Sequence, residues 1–250
     1  MVIYCAGTTK ASQYAAKILV SAGIEVVAQP EESVTHLLLD VPSFGETGLL
    51  RSGGKLNGLL SALPNSITVC GGNLHHPSLE GYRKIDLLQD VAYLAQNAYI
   101  TAECALDVAM PYLDITIRGC PTLIIGWGRI GKCLGRLLHS IGADVTIAAR
   151  KEADRAMIRA LGMKAADVNN LSDQLGKYRL VFNTAPELVL PKKDMAICRK
   201  DCVKIDLASK PGMEDEDVVV ARGLPGIHFP ESSGKLIADS LLRLCGEEIL

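Results

Sequence analysis

The chain has almost no net charge, no long apolar run and no closely paired cysteines, and each lack excludes a class of function. Its formal net charge is −2 over 250 residues. No basic cluster stands out, so it carries no electrostatic footprint for nucleic acid. No apolar run approaches the roughly 18 residues needed to cross a bilayer, and no membrane association is expected. The opening residues Met1-Val2-Ile3-Tyr4-Cys5 enter a strand-like run directly, without the charged stretch and longer apolar core of a secretory signal. A cytoplasmic protein is expected. The eight cysteines, at 5, 70, 104, 120, 133, 198, 202 and 245, include no C-x-x-C pair and read as small core hydrophobes kept reduced. Cys198 and Cys202 stand one helical turn apart, but nothing nearby completes a metal set. His75-His76 also lack a third ligand at a usual spacing, so no metal is expected.

What is there is an ordinary globular composition, 48% hydrophobic and 22% charged, organised around Leu123-Ile124-Ile125-Gly126-Trp127-Gly128-Arg129-Ile130-Gly131. A short apolar run reads as a buried strand and feeds into G-x-G-x-x-G. Leu134, Leu137, Leu138 and Ile141 then follow at helical spacing. Strand, glycines and helix in that order make a dinucleotide-binding fingerprint. Gly126 permits the tight turn, Gly128 lets the backbone approach a pyrophosphate, and Gly131 lets the helix pack on the strand. The pyrophosphate would meet the free N–H groups at the helix N-terminus, where the helix dipole favours negative charge.

The rest of the chain alternates strand and helix. Strands are expected at residues 2–5, 25–28, 36–39 and 66–70. A helix capped by Thr8 and ended by Gly23 follows the first strand, residues 44–57 read as a loop, and a helix is expected around 56–63. Residues 87–97 and 101–112 read as two helical pieces, with Thr101 as the second cap and Glu103 in its first turn. Further strands are expected at 122–125, 144–148, 180–182 and 202–206, with 115–118 a short strand or turn. Helices are expected at 153–161 and 169–175, residues 222–226 form a loop, and a last helix starts at Ser233. The expected fold is α/β, with two parallel-sheet domains joined by a long helix. Residues 1–97, with the helix at 233–250 packing back, form the first domain. Residues 98–232, with the connecting helix, form a Rossmann dinucleotide-binding domain.

The end of the strand at 144–148 bears on cofactor choice. An NAD site places Asp or Glu about 20 residues after the glycines, against the ribose 2′-hydroxyl. This chain has Arg150 and Lys151 there. A guanidinium grips a 2′-phosphate that a carboxylate would repel, so NADP is favoured, with NAD the second choice. The loops Asn183-Thr184-Ala185-Pro186 and Leu207-Ala208-Ser209-Lys210 end strands on the edge where ligands of open α/β sheets bind. In the first domain the loops 41–45 and 71–76 occupy the corresponding edge and suit either a substrate pocket or plain turns.

Five motifs carry a resemblance. They are Gly126–Gly131, Ala148-Ala149-Arg150-Lys151, Phe182-Asn183-Thr184-Ala185-Pro186, Ile205-Asp206-Leu207-Ala208-Ser209-Lys210-Pro211-Gly212 and Gly223-Leu224-Pro225-Gly226. In that order, over residues 122–244, the chain resembles the A subunit of dipicolinate synthase. The first half matches more loosely, through Pro42-Ser43 and Thr101-Ala102-Glu103. The chain is shorter than the family norm. Where the family tends to read V-A-P-K-T-A-G, His228-Phe229-Pro230-Glu231-Ser232-Ser233-Gly234 stands here, so a family lysine is Glu231. The resemblance implies NAD(P)-dependent oxidation of dihydrodipicolinate to dipicolinate in the mother cell of a sporulating bacterium. The partner it implies is a flavoprotein-like B subunit. A homo-oligomer is expected as well.

Such a reaction removes a hydride and a proton from a small dicarboxylate whose aromatisation drives the step, leaving the protein to orient the reactants. Lys210, Ser209, Ser43, Thr101, Ser232 and the backbone at Gly71 and Gly72 are candidates for carboxylate contacts. Glu103, His75 or His76 are candidate proton acceptors. Alternatives are another two-domain dehydrogenase of a small carboxylic acid and a non-catalytic NADP sensor. Dehydrogenases of 2-hydroxy acids or shikimate use a His–carboxylate or Lys–Asp pair, and no acidic partner for His228 is evident in the sequence.

Overall fold

The computed structural model describes residues 1–45 and 47–246. In chain order the elements are β1 (Val2–Cys5), α1 (Lys10–Ser21), β2 (Glu25–Val27), β3 (His36–Leu38), α2 (Leu56–Leu60), β4 (Thr68–Gly71), β5 (Arg83–Asp86) and α3 (Val91–Ala109). They continue with β6 (Pro121–Ile125), α4 (Arg129–Ser140), β7 (Asp144–Ala149), α5 (Glu152–Ala160), β8 (Lys164–Asp167), β9 (Leu180–Asn183), α6 (Lys192–Met195), β10 (Val203–Asp206), β11 (Val218–Val220), α7 (Leu224–His228) and α8 (Pro230–Cys245). The chain divides into two compact units, one of Met1–Asn97 with Pro225–Leu250 and one of Ala98–Leu224. The four residues 247–250 of the helix expected at 233–250 lie outside the described residues.

The first unit is a five-stranded sheet in the order β2-β1-β3-β4-β5, and every pairing is parallel. Leu37, Leu39, Ile67, Val69 and Leu79 are buried on it. Helix α8 packs on α1. A Cβ on Gly234 would stand 2.5 Å from the Tyr14 Cβ and 2.6 Å from the Ala11 carbonyl oxygen, so only glycine allows the two backbones to approach this closely.

The second unit is a six-stranded, all-parallel sheet in the order β11-β10-β9-β6-β7-β8. Numbered within the unit this is 3-2-1-4-5-6, the doubly wound dinucleotide-binding order, and the first unit's 2-1-3-4-5 is the other common doubly wound order. The α/β class with two parallel sheets holds.

Several local expectations are corrected. The cap of α1 is Thr9, not Thr8, and its Oγ1 accepts from the Ser12 N–H at 3.3 Å. The two helical pieces are one helix, α3, because Ala98-Tyr99-Ile100 offers no Gly or Pro to break it. The cap is Asp90, whose Oδ2 accepts from the Tyr93 N–H at 2.8 Å. Thr101 is therefore a mid-helix residue. Of the two readings offered for residues 115–118 the turn holds, while the loop at 222–226 runs into α7. Helix α8 starts at Pro230, which needs no N–H partner in a first turn. Strands β5, β8 and β11 stand beyond the expected set. All three are short sheet edges, and two of them are polar, with Arg-Lys-Ile-Asp in β5 and Lys-Ala-Ala-Asp in β8.

Candidate functional site

The strand order of the second sheet reverses between β6 and β9, which run parallel, so this is its topological switch point. The fingerprint glycines fall on that point. Gly126 has φ +109°, and a Cβ there would stand 2.4 Å from Thr184 Oγ1. That hydroxyl and the Thr184 N–H both donate to the Ile125 carbonyl at 2.9 Å, which locks the two strand ends together. A Cβ on Gly131 would lie 2.2 Å from the Gly126 carbonyl oxygen, so helix α4 packs on the turn as only glycine allows. Nothing lies within 4 Å of a Cβ on Gly128. That open position fits a pyrophosphate approaching the backbone.

Helix α4 starts at this opening with Gly128 as cap, without a side-chain cap and without an acidic residue in its first turn. Arg129 is exposed there, and Lys132 Nζ sits 5.7 Å from the centre of the Trp127 ring. Two cations on the positive end of a helix dipole are unfavourable alone and favourable beside an anion. Ile130 is half-buried in the same turn.

Next to the glycines is a cavity of about 450 Å³, lined among others by Trp127, Ala149, Arg150, Lys151, Asn169, Ala185 and Glu187. Arg155, from α5, fixes one wall. Its Nη1 donates to the carbonyls of Ala149 at 2.9 Å and Arg150 at 2.8 Å, and its guanidinium pairs with Asp167 at 3.1 Å and Glu152 at 2.9 Å. Arg150 forms an ion pair with Glu187, and both side chains are more than half exposed, at 65% and 53%. Lys151, Pro186, Ser209 and Lys210 are exposed at the same sheet edge, while Leu207 and Ala208 are buried.

Asn183, expected to touch the cofactor, is instead fully buried with its amide committed to protein. Its Nδ2 donates to Asp206 Oδ1 at 2.9 Å and the Ala185 carbonyl at 3.0 Å, and its Oδ1 accepts from the Ala185 N–H at 3.0 Å. Asp206 also accepts from the N–H groups of Ala208 at 3.0 Å and Gly212 at 2.7 Å. This buried pair shapes the loops after β9 and β10.

The first unit's switch point, between β1 and β3, is closed. The Asp40 carboxylate, 2% exposed, accepts from the N–H groups of Thr8 at 3.2 Å and Thr9 at 3.0 Å, and from the hydroxyls of Thr9 and Ser12 at 2.7 Å. It occupies the N-terminus of α1 where an anion would otherwise bind. Ser43 is buried. Its hydroxyl donates to the Asp40 carbonyl at 2.8 Å and accepts from the Gly72 N–H at 3.1 Å, so Ser43 and Gly72 satisfy one another. His76 Nδ1 accepts from the Ser78 N–H at 3.2 Å, and its ring stacks on Phe44 at 5.1 Å. Ser232 is exposed in the first turn of α8. On α3, Thr101 is buried and Glu103 exposed, so the two face different surroundings.

Cys198 and Cys202 do come together. The neighbouring Cys202 thiol holds the Cys198 thiol below its ordinary pKa, and Cys198 together with burial raises Cys202, whose Sγ lies 3.8 Å from the Val203 carbonyl oxygen. Among the described residues no group of three or more His, Cys, Asp or Glu is arranged to hold a metal ion, and no helix is long and apolar enough to cross a membrane.

No family model matches the chain. The A subunit of dipicolinate synthase from Bacillus subtilis (strain 168) is 29% identical over 159 residues, which are 60% of this chain and 54% of that protein. The sequence match thus spans about half of the curated relative's length. The crystal structure of the dipicolinate synthase A subunit from Bacillus halodurans superposes with a TM-score of 0.85 at 23% identity, over 99% of this chain and 98% of that one. The chain is thus similar to the dipicolinate synthase A subunit in sequence over part of its length and in fold over nearly all of it. The fold likeness extends to a transhydrogenase from Sinorhizobium meliloti, with a TM-score of 0.73 at 14% identity over 98% of this chain and 93% of that one.

The sequence did not by itself single out Glu187, Arg155, Asp206 or Asp40. Glu187 directly follows the Asn-Thr-Ala-Pro motif, and a carboxylate on that edge was a readable signal. Asp206 lies inside the motif at 205–212, but its partner is 23 residues away. Asp40 ends β3 and reaches α1 only because the sheet order brings β3 beside β1.

Proposed function

We propose that the chain binds a nicotinamide dinucleotide in its second unit and oxidises dihydrodipicolinate to dipicolinate, with NADP favoured and NAD as second choice. The reading rests above all on the open glycine turn at Gly128, with the uncapped, cation-bearing start of α4 beside it. In this reading Gly126, Trp127, Gly128, Arg129, Ile130 and Gly131 hold the pyrophosphate. Arg150 and Lys151 face the 2′-phosphate, and Thr184, Ala185, Pro186, Leu207, Ala208 and Ser209 border the nicotinamide end. Asn183 acts through the loops it braces.

A nicotinamide dinucleotide held by these residues would supply the hydride acceptor. The chain's residues hold the substrate and take up a proton. Lys210, exposed after β10, is the cation proposed for a substrate carboxylate. Glu103, exposed on α3, is the proposed proton acceptor. Thr101 supports that stretch of α3 from its buried side. Self-association, a flavoprotein-like B subunit and a sporulation role in the mother-cell cytoplasm follow from the resemblance alone.

Synthesised dihydrodipicolinate with NADP should produce the absorbance rise of the reduced nicotinamide. No rise with either NADP or NAD sinks the dehydrogenase reading. Dinucleotide binding without turnover would favour a nucleotide-sensing protein. Arg150→Asp should weaken NADP far more than NAD, and equal effects on the two would defeat the preference for NADP.

A further inference from the structure

The end of β7 lacks the carboxylate that an NAD site normally places against the ribose 2′-hydroxyl. The structure brings one to the same cavity from elsewhere. Glu187 lies in the loop after β9, 37 residues from Arg150 in sequence, and pairs with its guanidinium. Both line the cavity beside the fingerprint glycines. The backbone under Arg150 is held by Arg155 through the carbonyls of Ala149 and Arg150. Glu187 hangs on a loop whose base is tied by Asn183 to Ala185 and Asp206. Both ends of the clasp are thus anchored, while the charged tips remain in solvent and free to exchange partners.

We propose that Glu187 is a specificity-determining residue for the dinucleotide. It holds Arg150 when no 2′-phosphate is present and must release it when one enters, which narrows the advantage of NADP and keeps NAD usable. The inference rests on the dinucleotide reading of this cavity. A 2′-phosphate takes the guanidinium in a charge-assisted, bidentate contact, and it does so against the Glu187 carboxylate, which competes for the same donors and repels the dianion. A 2′-hydroxyl needs no such release and can donate to the carboxylate. The clasp therefore opposes NADP and leaves NAD largely untouched.

The test reads binding rather than turnover. Trp127 is the chain's single tryptophan and lines this cavity, so its fluorescence reports both dinucleotides. Titration of the parent protein and of Glu187→Gln with NADP and with NAD should show NADP tightening by about fivefold, the upper worth of an exposed ion pair, with NAD changed much less. In an Arg150→Gln background the gain from Glu187→Gln should shrink, since there is no guanidinium left to release. An unchanged NADP-to-NAD ratio in Glu187→Gln overturns the proposal, as does an undiminished gain in the Arg150→Gln background. If the parent protein binds neither dinucleotide, the dinucleotide reading falls and this inference falls with it. Binding of both with an unaltered ratio leaves that reading standing and removes only the role of Glu187.

Discussion

The amide of Asn183 donates to the carboxylate of Asp206 at 2.9 Å, fully buried, at the neighbouring ends of β9 and β10. The pair is the hinge pin of the ligand-facing edge, because one partner holds Ala185 and the other holds Ala208 and Gly212. Asp206→Asn turns an acceptor into a donor facing donors. Leaving such groups unsatisfied costs about 1–3 kcal/mol. Urea unfolding should register that loss, and Trp127 titration should register weaker dinucleotide binding as the loops loosen. A variant as stable as the parent would show that the brace is dispensable.

Two of the fingerprint glycines, Gly128 and Gly131, should separate on substitution. Gly131→Ala forces a Cβ against the Gly126 carbonyl and should cost about 1–3 kcal/mol by overpacking. Gly128→Ala meets nothing in the protein, and its φ of −78° suits alanine. Its stability should stay within about 0.5 kcal/mol of the parent. If a pyrophosphate packs on that position, dinucleotide affinity should nevertheless fall by about tenfold or more, the equivalent of about 1.4 kcal/mol. Thermal unfolding and fluorescence titration of the same samples check both halves.

Asp40→Ala removes the acceptor shared by Thr8, Thr9 and Ser12 at the start of α1. The loss should be about 2 kcal/mol, at the upper end for a helix cap. Hydrogen exchange should show it as faster exchange of the first-turn amides of α1, with the amides of the second unit unaffected.

Lys204 and Asp215 form a partly buried ion pair. The hydrogen bond from Lys204 holds the Asp215 carboxyl below its usual range. Burial pulls Lys204 down, but its bond to Asp215 and the nearby negative charges outweigh that and leave it raised. The depressed acid contributes stability above its unfolded value of about 3.9 and loses it as pH falls through the lower folded value. The raised base contributes below its unfolded value and loses it as pH rises through the higher folded one. Asp215→Asn should thus cost about 1–3 kcal/mol at neutral pH. The gap to the parent should close in strong acid, as measured by denaturant unfolding across pH.

Cys198 should be the thiol that alkylates first. It is half-buried, and the neighbouring Cys202 thiol favours its thiolate, whereas burial raises Cys5, Cys70, Cys104, Cys120 and Cys133. Substoichiometric iodoacetamide near neutral pH, read by peptide mass spectrometry, should mark Cys198 well ahead of these five. Cys202→Ala should remove that lead. Labelling led by another cysteine would contradict the assignment.

Legibility in the sequence followed locality. The turn at Gly126–Gly131 was readable because the positive φ of Gly126 and the packing of Gly131 on the Gly126 carbonyl are local demands, although the contact of Gly126 with Thr184 is not, and the helix after it declared itself by spacing. Strands β5, β8 and β11 were not, since a short edge needs little apolar alternation to pair with one neighbour. Thr101 looks like a cap in the sequence, yet a capping residue type carries no weight inside an unbroken helix already capped by Asp90.

Arg150 was legible as a cation at the right place, but its partner was not, since Glu187 reaches it only after β9 has come to lie two strands from β7. The same holds for Asp40 at α1 and for Asn183 with Asp206. The sequence by itself determined two parallel α/β sheets and one tight glycine turn between a strand and a helix, because periodicity and backbone sterics act over neighbouring residues. Only the tertiary structure decided that a carboxylate closes the switch point of the first unit while that of the second stays open. Strand order, and not spacing along the chain, determines which charges meet.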